Sequence, residues 1–316
     1  MKKFLKVLTV LVLALSLVAC GGTKEASEET SKEDDKITVA AIYVDTYEEF
    51  AIKLKNGIEK TCAEKGYELL QTDYNSDVSK GVDAMENYIN MGVDAMVLWI
   101  FREEMFTDQL QRAMDAGIVV IAVDSEIKTV EIDGFVTNDH YDVGFQQAEK
   151  LAEGIGYEGE VVVITSPPGG QCMVDRQNGA LDCFAQYPGI KVIEAYDEGS
   201  GGREGYSTTC ENALLANPNV KAIWCVCADN GLGAVAAINA HGDKFKDVLC
   251  CAGDCSDECA DAIKAGTMYC GYSLMPTKLA STAVDYVEKA LAGEEVGNIF
   301  LEGGMYTAEN IDEFVD

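Results

Sequence analysis

Basic residues and histidines are scarce in this sequence, and their scarcity excludes several functions. It has 24 Lys and Arg residues against 54 Asp and Glu residues, and only two histidines, His140 and His241. Nucleic-acid binding is disfavoured because phosphate backbones require clustered cations. The same acidity argues against broad docking on anionic lipid. With two imidazoles in the chain, a histidine-based metal centre is disfavoured as well.

Motifs for phosphate binding and nucleophilic catalysis are also missing. Residues 44–49, Val-Asp-Thr-Tyr-Glu-Glu, follow the first predicted strand without a glycine, so no phosphate loop or dinucleotide fingerprint begins there. Residues 199–203, Gly-Ser-Gly-Gly-Arg, lack the Lys-Ser/Thr of a phosphate loop and are interpreted as a loop. There is no Gly-x-Ser-x-Gly elbow, and nothing places a histidine beside a serine, so we predict that the protein is not an enzyme.

The first twenty residues have the pattern of an export signal. Three lysines precede an apolar run at residues 7–18, which is shorter than the about 20 residues of a membrane span. The run ends in Leu-Val-Ala-Cys, which resembles the lipobox of bacterial lipoproteins. We predict a signal peptide at residues 1–19, a lipidated Cys20 and a disordered tether over residues 20–36. Cleavage leaves 21 basic against 54 acidic residues, a formal charge of −33.

Eleven cysteines remain after Cys20, an odd number that leaves at least one thiol unpaired. Cys225 and Cys227 are predicted to share one face of a strand, whereas Cys250 and Cys251 should face opposite sides. This scatter favours buried packing over a disulfide framework. The alternative, a metal or redox site, would use Cys250, Cys251, Cys255 and Cys259. No Cys-x-x-Cys pair supports it, so we predict no metal and no cofactor.

Short apolar runs alternate with amphipathic segments of helical length from residue 37 onward. The first predicted strand covers residues 37–44, the last covers residues 267–271, and the last predicted helix covers residues 276–292. This alternation is typical of parallel sheets with helices on both faces. The pattern occurs once before Asn138 and again after it. We therefore predict an α/β fold of two similar doubly wound lobes with a cleft between them.

Several segments occur in an order that resembles a known family. They are residues 47–51 and 54–57, 92–95, 116–120 with Asp124 and Ser125, 137–144, 175–179, 217–220, and Gly253 with Asp254. In this order and spacing, the chain from residue 37 to 316 resembles the ribose/galactose-type extracytoplasmic solute-binding proteins of sugar ABC importers, with the type 1 periplasmic binding protein fold. The resemblance implies two lobes joined by a three-strand hinge.

The lobe boundaries follow from the same resemblance. The N-terminal lobe is predicted to comprise residues 37–137 and 274–302, and the C-terminal lobe residues 138–273 and 303–316. The chain is expected to cross between them near residues 137–138, 273–275 and 302–304. Closure would then be a hinge motion about these crossings, stabilised by a ligand that bonds both lobes.

The resemblance also implies a ligand site. Asp124 would accept ligand hydroxyls from one lobe, Arg176 and Asp254 would bind from the other, and Phe50 would stack on a sugar ring. The alternatives are that the aspartates cap helices, that Arg176 forms a surface ion pair, and that Phe50 and Trp99 are core residues. The predicted ligand-binding residues are Glu48, Phe50, Trp99, Asp124, Ser125, Arg176, Cys227, Asp254 and Ser273.

Some of these positions depart from the family pattern and indicate a pocket of different shape. Glu48 and Glu49 stand where Asn-Pro is common, and Ser273 stands where Gln is frequent. A position that is commonly an amide or acid aligns with Cys227 or its neighbours Asp229 and Asn230. No aromatic residue near residues 201–203 matches the second stacking residue, and Trp99 stands at a position that can be polar. These departures weaken the sugar assignment without weakening the assignment to a binding protein.

We predict a monomeric, lipid-anchored extracytoplasmic receptor that captures a small polar ligand, a monosaccharide or polyol, and delivers it to the permease of an ABC importer. The alternative is a ligand-sensing module for a membrane kinase or chemoreceptor. The sequence does not separate the two, because both partners would recognise the closed shape from outside.

Overall fold

The computed structural model describes residues 36–165, 170–196 and 202–314. The predicted signal peptide and Cys20 lie outside these residues. Within the described part of the chain, none of the helices combines the length and the apolar character that a membrane crossing requires.

Strands and helices alternate along the described chain. The strands are β1 (Thr38–Tyr43), β2 (Glu68–Asp73), β3 (Ala95–Trp99), β4 (Val119–Val123), β5 (Gly134–Thr137), β6 (Gly159–Thr165), β7 (Ile190–Tyr196), β8 (Val220–Cys225), β9 (Leu249–Ala252), β10 (Cys270–Ser273), β11 (Gly297–Phe300) and β12 (Gly304–Thr307). The helices are α1 (Glu49–Lys65), α2 (Val78–Met91), α3 (Thr107–Asp115), α4 (His140–Gly154), α5 (Gln171–Ala185), α6 (Gly202–Ala216), α7 (Ala228–Ala240), α8 (Asp257–Lys264) and α9 (Pro276–Leu291).

The first sheet has the strand order β11-β5-β4-β3-β1-β2, and all its neighbouring strands are parallel. Strands β3 and β4 are buried along their whole length, as expected for parallel strands covered on both faces. The chain winds from β1 to β2 in one direction and from β2 to β3 in the other. Because such crossovers are right-handed, α1 and α2 lie on opposite faces of the sheet. This sheet with its helices is called the first lobe below.

The second sheet repeats this plan in the order β12-β10-β9-β8-β6-β7. Its neighbours are parallel except β12, which is antiparallel to β10. One face of the sheet packs with α6, α7 and α8, and the other packs with α4 and α5. This sheet with its helices is the second lobe. The predicted fold of two similar doubly wound lobes is confirmed.

The chain crosses between the sheets after β5, after β10 and between β11 and β12. The sequence pattern did not predict β5, β11 or β12 as strands. Each is four residues long, and three of the four β11 residues are exposed. Such short segments carry too little apolar periodicity to be recognised, and their pairing is set by the rest of the sheet.

All eleven cysteines from Cys62 to Cys270 are buried and unpaired. Cys250 and Cys251 belong to the cores on opposite faces of the second sheet, as predicted. The prediction that Cys225 and Cys227 share one face is wrong. Strand β8 ends at Cys225, and Cys227 caps α7 and belongs to the other core. Because Cys251 lies in a different core from Cys250, Cys255 and Cys259, the four thiols do not converge on one site.

Candidate functional site

Two aspartates lie at equivalent strand ends in the two lobes. Asp124 follows β4 and Asp254 follows β9 by two residues, each the fourth strand of its sheet along the chain. Both have left-handed backbone conformations, with φ values of 63° and 45°. Aspartate tolerates this region better than most residues, and such strained backbone often marks a functional position. The turn at each strand end brings both carboxylates to the carboxyl edges of the sheets.

Arg176 of α5 connects these carboxylates. Its guanidinium lies 4.0 Å from Asp124 Oδ1 and 3.9 Å from Asp254 Oδ2. Its direction is set by two hydrogen bonds: Nε donates to His140 Nδ1 at 3.1 Å, and NH1 donates to the Val226 carbonyl at 3.1 Å. The side chain is 3% exposed. One buried cation therefore faces an acid from each lobe, which excludes the interpretation of Arg176 as a surface ion pair.

Arg176 is placed by close contact between α4 and α5. A Cβ atom added at Gly144 would lie 1.8 Å from the Arg176 carbonyl oxygen, and one added at Gly179 would lie 2.0 Å from the Tyr141 carbonyl oxygen. Real Cβ atoms do not approach backbone so closely, so both positions require glycine. The two glycines let the helices approach until the guanidinium reaches the cleft.

Asp124 is held by three side chains. The Trp99 indole Nε1 donates to Oδ2 at 3.1 Å, and His140 Nε2 lies 3.2 Å from Oδ1. Burial by itself would raise the pKa of Asp124, but His140, Arg176 and the Trp99 N–H together lower the pKa below its usual value. Asp124 is thus an ionised acceptor, and its Oδ1 is buried without a well-directed hydrogen bond among the described residues, although His140 Nε2 lies 3.2 Å away.

Aromatic rings form one wall of the site. The Phe50 and Trp99 ring centroids are 5.4 Å apart at 58°, and the Trp99 and Phe101 centroids are 5.7 Å apart at 77°. Phe50 retains 8% exposure and Trp99 retains 4%. These tilted contacts fix the rings and leave a small apolar surface beside the carboxylates.

A cavity of about 250 Å³ lies where these groups meet. It is lined by Val44, Asp45, Tyr47, Glu48, Phe50, Ser76, Trp99, Phe101 and Asp124 of the first lobe, and by Cys172, Met173, Arg176, Tyr206 and Asp254 of the second. A second cavity, of about 460 Å³, shares Tyr47, Glu48, Phe50 and Asp254 with it. Apolar walls with a few convergent polar groups are typical of a small-molecule site.

Three of the four acids that line this cavity, all except Asp124, hold protons more tightly than usual. Burial raises the pKa of Glu48 to about 8, and the neighbouring Asp254, Asp45 and Asp229 carboxylates add to the rise. Burial also raises the pKa of Asp254 to about 7, against the opposing effects of Arg176 and the Ala228 N–H, and raises that of Asp45 to about 6. Desolvation penalises the charged form of each carboxyl.

The lobes also touch beside the cavity, at α1 and the N-terminus of α8. Lys53 Nζ lies 3.0 Å from Asp257 Oδ1, and the Asp257 backbone N–H donates to Glu49 Oε1 at 2.8 Å. An acid at a helix N-terminus is a favourable partner. These contacts bring one rim of the cleft together.

The structure brings six of the nine predicted residues to one cavity: Glu48, Phe50, Trp99, Asp124, Arg176 and Asp254. The other three do not line it. Ser125 is buried, the Cys227 thiol donates to Asn230 Oδ1 at 3.2 Å, and Ser273 Oγ accepts from the Met275 N–H at 3.2 Å. Cys227 and Ser273 contribute to local turns at the edge of the second sheet.

Several lining residues were missed by the sequence analysis. Asp45 follows β1 closely, and its place at the carboxyl end of a parallel strand was a signal that could have identified it. Tyr206 supplies an aromatic ring from α6, although no aromatic residue near residues 201–203 had been identified. His140 begins α4 and contacts Asp124. The sequence around a single histidine does not indicate which residue it contacts, so this role could not be predicted.

Asp124, His140 and Cys172 also place three potential metal donors within 4.8 Å of one another. The hydrogen bonds disfavour such use. Because His140 Nδ1 accepts from Arg176 Nε, the ring proton belongs on Nε2, the atom that faces Asp124. The guanidinium 4.0 Å from Asp124 would also repel a cation there. The cluster instead orients Asp124 and Arg176.

Comparison with known proteins identifies the family. Residues 13–295 match the family described as "Periplasmic binding protein domain". The chain belongs to this family. The resemblance inferred from the sequence is therefore confirmed, and Asp124, Arg176 and Asp254 lie in the cleft between the two lobes of a periplasmic binding protein.

Among characterised relatives, the xylitol-binding protein of Mycolicibacterium smegmatis is 27% identical over 286 residues, covering 90% of this chain and 79% of that protein. The ribose import binding protein of Bacillus subtilis is 24% identical, covering 94% of this chain and 95% of that protein. A solved ABC transporter solute-binding protein from Actinobacillus succinogenes with bound D-allose is 25% identical with a TM-score of 0.81, covering 88% of this chain and all of that one. A Burkholderia graminis solute-binding protein in complex with D-arabinose shares the fold with a TM-score of 0.84 at 23% identity, covering 90% of this chain and all of that one.

Proposed function

We propose that this binding protein captures a monosaccharide or polyol between its lobes and delivers it to the permease of an ABC importer. The observation that carries the proposal is the convergence of Asp124, Arg176 and Asp254 on one cavity beside the Phe50 and Trp99 rings. Relatives named for xylitol, ribose and allose support the ligand class.

The chemistry of a polyol fits this arrangement. Each hydroxyl both donates and accepts, so it can donate to a carboxylate and accept from the guanidinium at the same time. Asp124 Oδ1 is buried and makes no well-directed hydrogen bond with the described residues, so it can accept one from a ligand hydroxyl. The C–H face of a ring would pack on Phe50 and Trp99. The cavity of about 250 Å³ suits one small ligand.

Binding would stabilise closure because Asp124 and Arg176 belong to different lobes. A ligand that bonds both has higher affinity for the closed arrangement, and this difference shifts the population toward it. The protein performs no reaction in this proposal. A permease would recognise the closed pair of lobes, and its genes are expected beside the gene for this chain.

Titration calorimetry with pentoses, hexoses, furanose sugars, inositols and alditols tests the ligand class. We expect at least one to bind, and we expect Arg176→Gln to reduce its affinity at least about tenfold through loss of charge-assisted hydrogen bonds. Arg112→Gln on the exposed face of α3 is the matched control. Thermal melting of each variant checks folding. If no member of the panel binds the wild-type protein, the sugar or polyol assignment is wrong.

The lipid anchor is a separate part of the proposal and depends on Cys20. We expect the full chain expressed in a bacterium to sediment with membranes and to incorporate labelled fatty acid, whereas Cys20→Ser should do neither. Cys62→Ser is a control within the folded region, because Cys62 is buried in α1. A wild-type chain without label would disprove the anchor and leave the binding function standing.

A further inference from the structure

The cavity between the lobes contains more negative than positive charge. Asp45, Glu48, Asp124 and Asp254 line it, and Arg176 is the one cation among its described lining residues. Arg176 already faces two of the carboxylates, at 4.0 Å and 3.9 Å. With every group ionised, four carboxylates oppose one guanidinium. Asp45 and Glu48 therefore represent charge that Arg176 does not balance.

Arg203, which lines the adjoining cavity, does not correct this imbalance. Its guanidinium donates to Asp229 Oδ1 at 2.9 Å and 3.1 Å and to both oxygens of Glu258 at 2.8 Å. Two carboxylates thus already occupy its donors. The excess negative charge remains at the loop between β1 and α1, where Asp45 and Glu48 lie.

Side-chain donors do not reach these two acids among the described residues. Asp45 is 5% exposed, and it accepts backbone bonds alone, a long one from the Tyr47 N–H at 3.4 Å and another from the Glu48 N–H. The Glu48 carboxylate has no hydrogen bond or ion pair among the described residues. Asp124 Oδ1, on the other side of the cavity, is buried and makes no well-directed hydrogen bond with the described residues. The cavity thus presents acceptors on both sides that a ligand rich in donors could satisfy.

We infer that the ligand is a polyol that carries a primary ammonium group, an amino sugar or an aminocyclitol, with its nitrogen at Glu48 and Asp45. This inference rests on the function proposed above and deepens it. The ammonium group of such a ligand supplies three donors and the missing positive charge. The hydroxyl groups of the same ligand can bind Asp124, Arg176 and Asp254. With a neutral polyol, the acids that Arg176 does not balance would have to stay protonated to avoid a buried excess of negative charge.

The raised pKa of Glu48 agrees with placing an ammonium group beside it. Burial raises the pKa of Glu48 to about 8, with Asp254, Asp45 and Asp229 raising it and Arg176 lowering it. Without a cationic ligand, part of the cavity is therefore protonated near neutral pH. An ammonium group at Glu48 favours the ionised carboxylate, so binding should release protons from the protein. A neutral polyol would release none.

Calorimetry with pairs that differ by one group tests the inference. D-glucosamine is compared with D-glucose, D-galactosamine with D-galactose, and scyllo-inosamine with scyllo-inositol, at pH 6.5 with EDTA present to remove divalent cations. We expect at least one amine to bind about tenfold or more tightly than its hydroxyl partner, with proton release measured in two buffers of different ionisation enthalpy. If hydroxyl partners bind equally or better, the inference is wrong while the proposed function stands. If no sugar or cyclitol of either kind binds, both fail.

The variant Glu48→Gln tests whether the ammonium group of the ligand binds at Glu48. The side chain caps no helix N–H, so the variant should fold like the wild type. We expect it to lose about tenfold in affinity for the amine while affinity for the neutral partner stays the same or rises. Glu104→Gln, exposed in the same lobe, should change neither. An undiminished preference for the amine in Glu48→Gln would overturn the placement at Glu48.

Discussion

Raising the pH from about 4.5 to 7.5 is expected to destabilise the ligand-free protein through the proton held by Asp254. Burial raises the pKa of this carboxyl from 3.8 to about 7 in the folded state. Between these values the folded state binds more protons than the unfolded state, so the free energy of unfolding falls as pH rises. The loss begins above the unfolded pKa and is complete above the folded pKa.

The size of this effect follows from the shift. At about 1.4 kcal/mol per pKa unit, the shift at Asp254 corresponds to roughly 4 kcal/mol. For a protein of this size, 1 kcal/mol changes Tm by about 2 °C, so Asp254 alone should lower Tm by about 8 °C across the window. Glu48 acts in the same direction. Asp124 acts in the opposite direction, but its lowered pKa places its effect at more acid pH.

Calorimetric melting of the wild type and Asp254→Asn across this pH range measures the effect. The asparagine can keep the hydrogen bond that Asp254 Oδ1 accepts from the Ala228 N–H, and it removes the titration. We expect its Tm to fall less steeply with pH than that of the wild type. Asp243→Asn is the control for the overall acidity, because its side chain is 95% exposed. Parallel curves for wild type and Asp254→Asn would refute the reasoning.

Three further outcomes follow from the packing of the site. Gly144→Ala should lower stability by about 1–3 kcal/mol and weaken ligand binding, because its Cβ would collide with the Arg176 carbonyl; thermal melting and calorimetry measure both. Trp99→Phe should cost about 1–3 kcal/mol in urea unfolding, because Asp124 Oδ2 loses its donor. The eleven cysteines from Cys62 to Cys270 should react with Ellman's reagent only after denaturation, because all are buried.

Each of these outcomes has a contrary result. A Gly144→Ala protein as stable as the wild type would show that α4 and α5 can separate at no cost. Unchanged urea unfolding of Trp99→Phe would show that water or His140 replaces the indole donor. Fast thiol reaction in the native protein would show that the cores open readily.

The residue sequence by itself determined the layered fold and the residues that follow its strands. Apolar runs of strand length and amphipathic runs of helix length are local patterns, so they could be recognised without tertiary contacts. The carboxyl ends of parallel strands meet at one edge, where ligands bind, and the family resemblance selected Asp124 and Asp254 at those strand ends. Phe50 and Arg176 came from the family resemblance rather than from any local pattern.

Only the tertiary structure decided how these residues act together. The Arg176 guanidinium reaches both aspartates because two helices approach closely at Gly144, a contact between segments that share no sequence pattern. The donation of Trp99 to Asp124 and the arrival of Tyr206 in the cavity likewise join distant parts of the chain. The raised pKa of Glu48 depends on burial and on Asp254 across the cleft. Desolvation and charge coupling depend on distances in space, and these distances cannot be predicted from the separation of residues along the sequence.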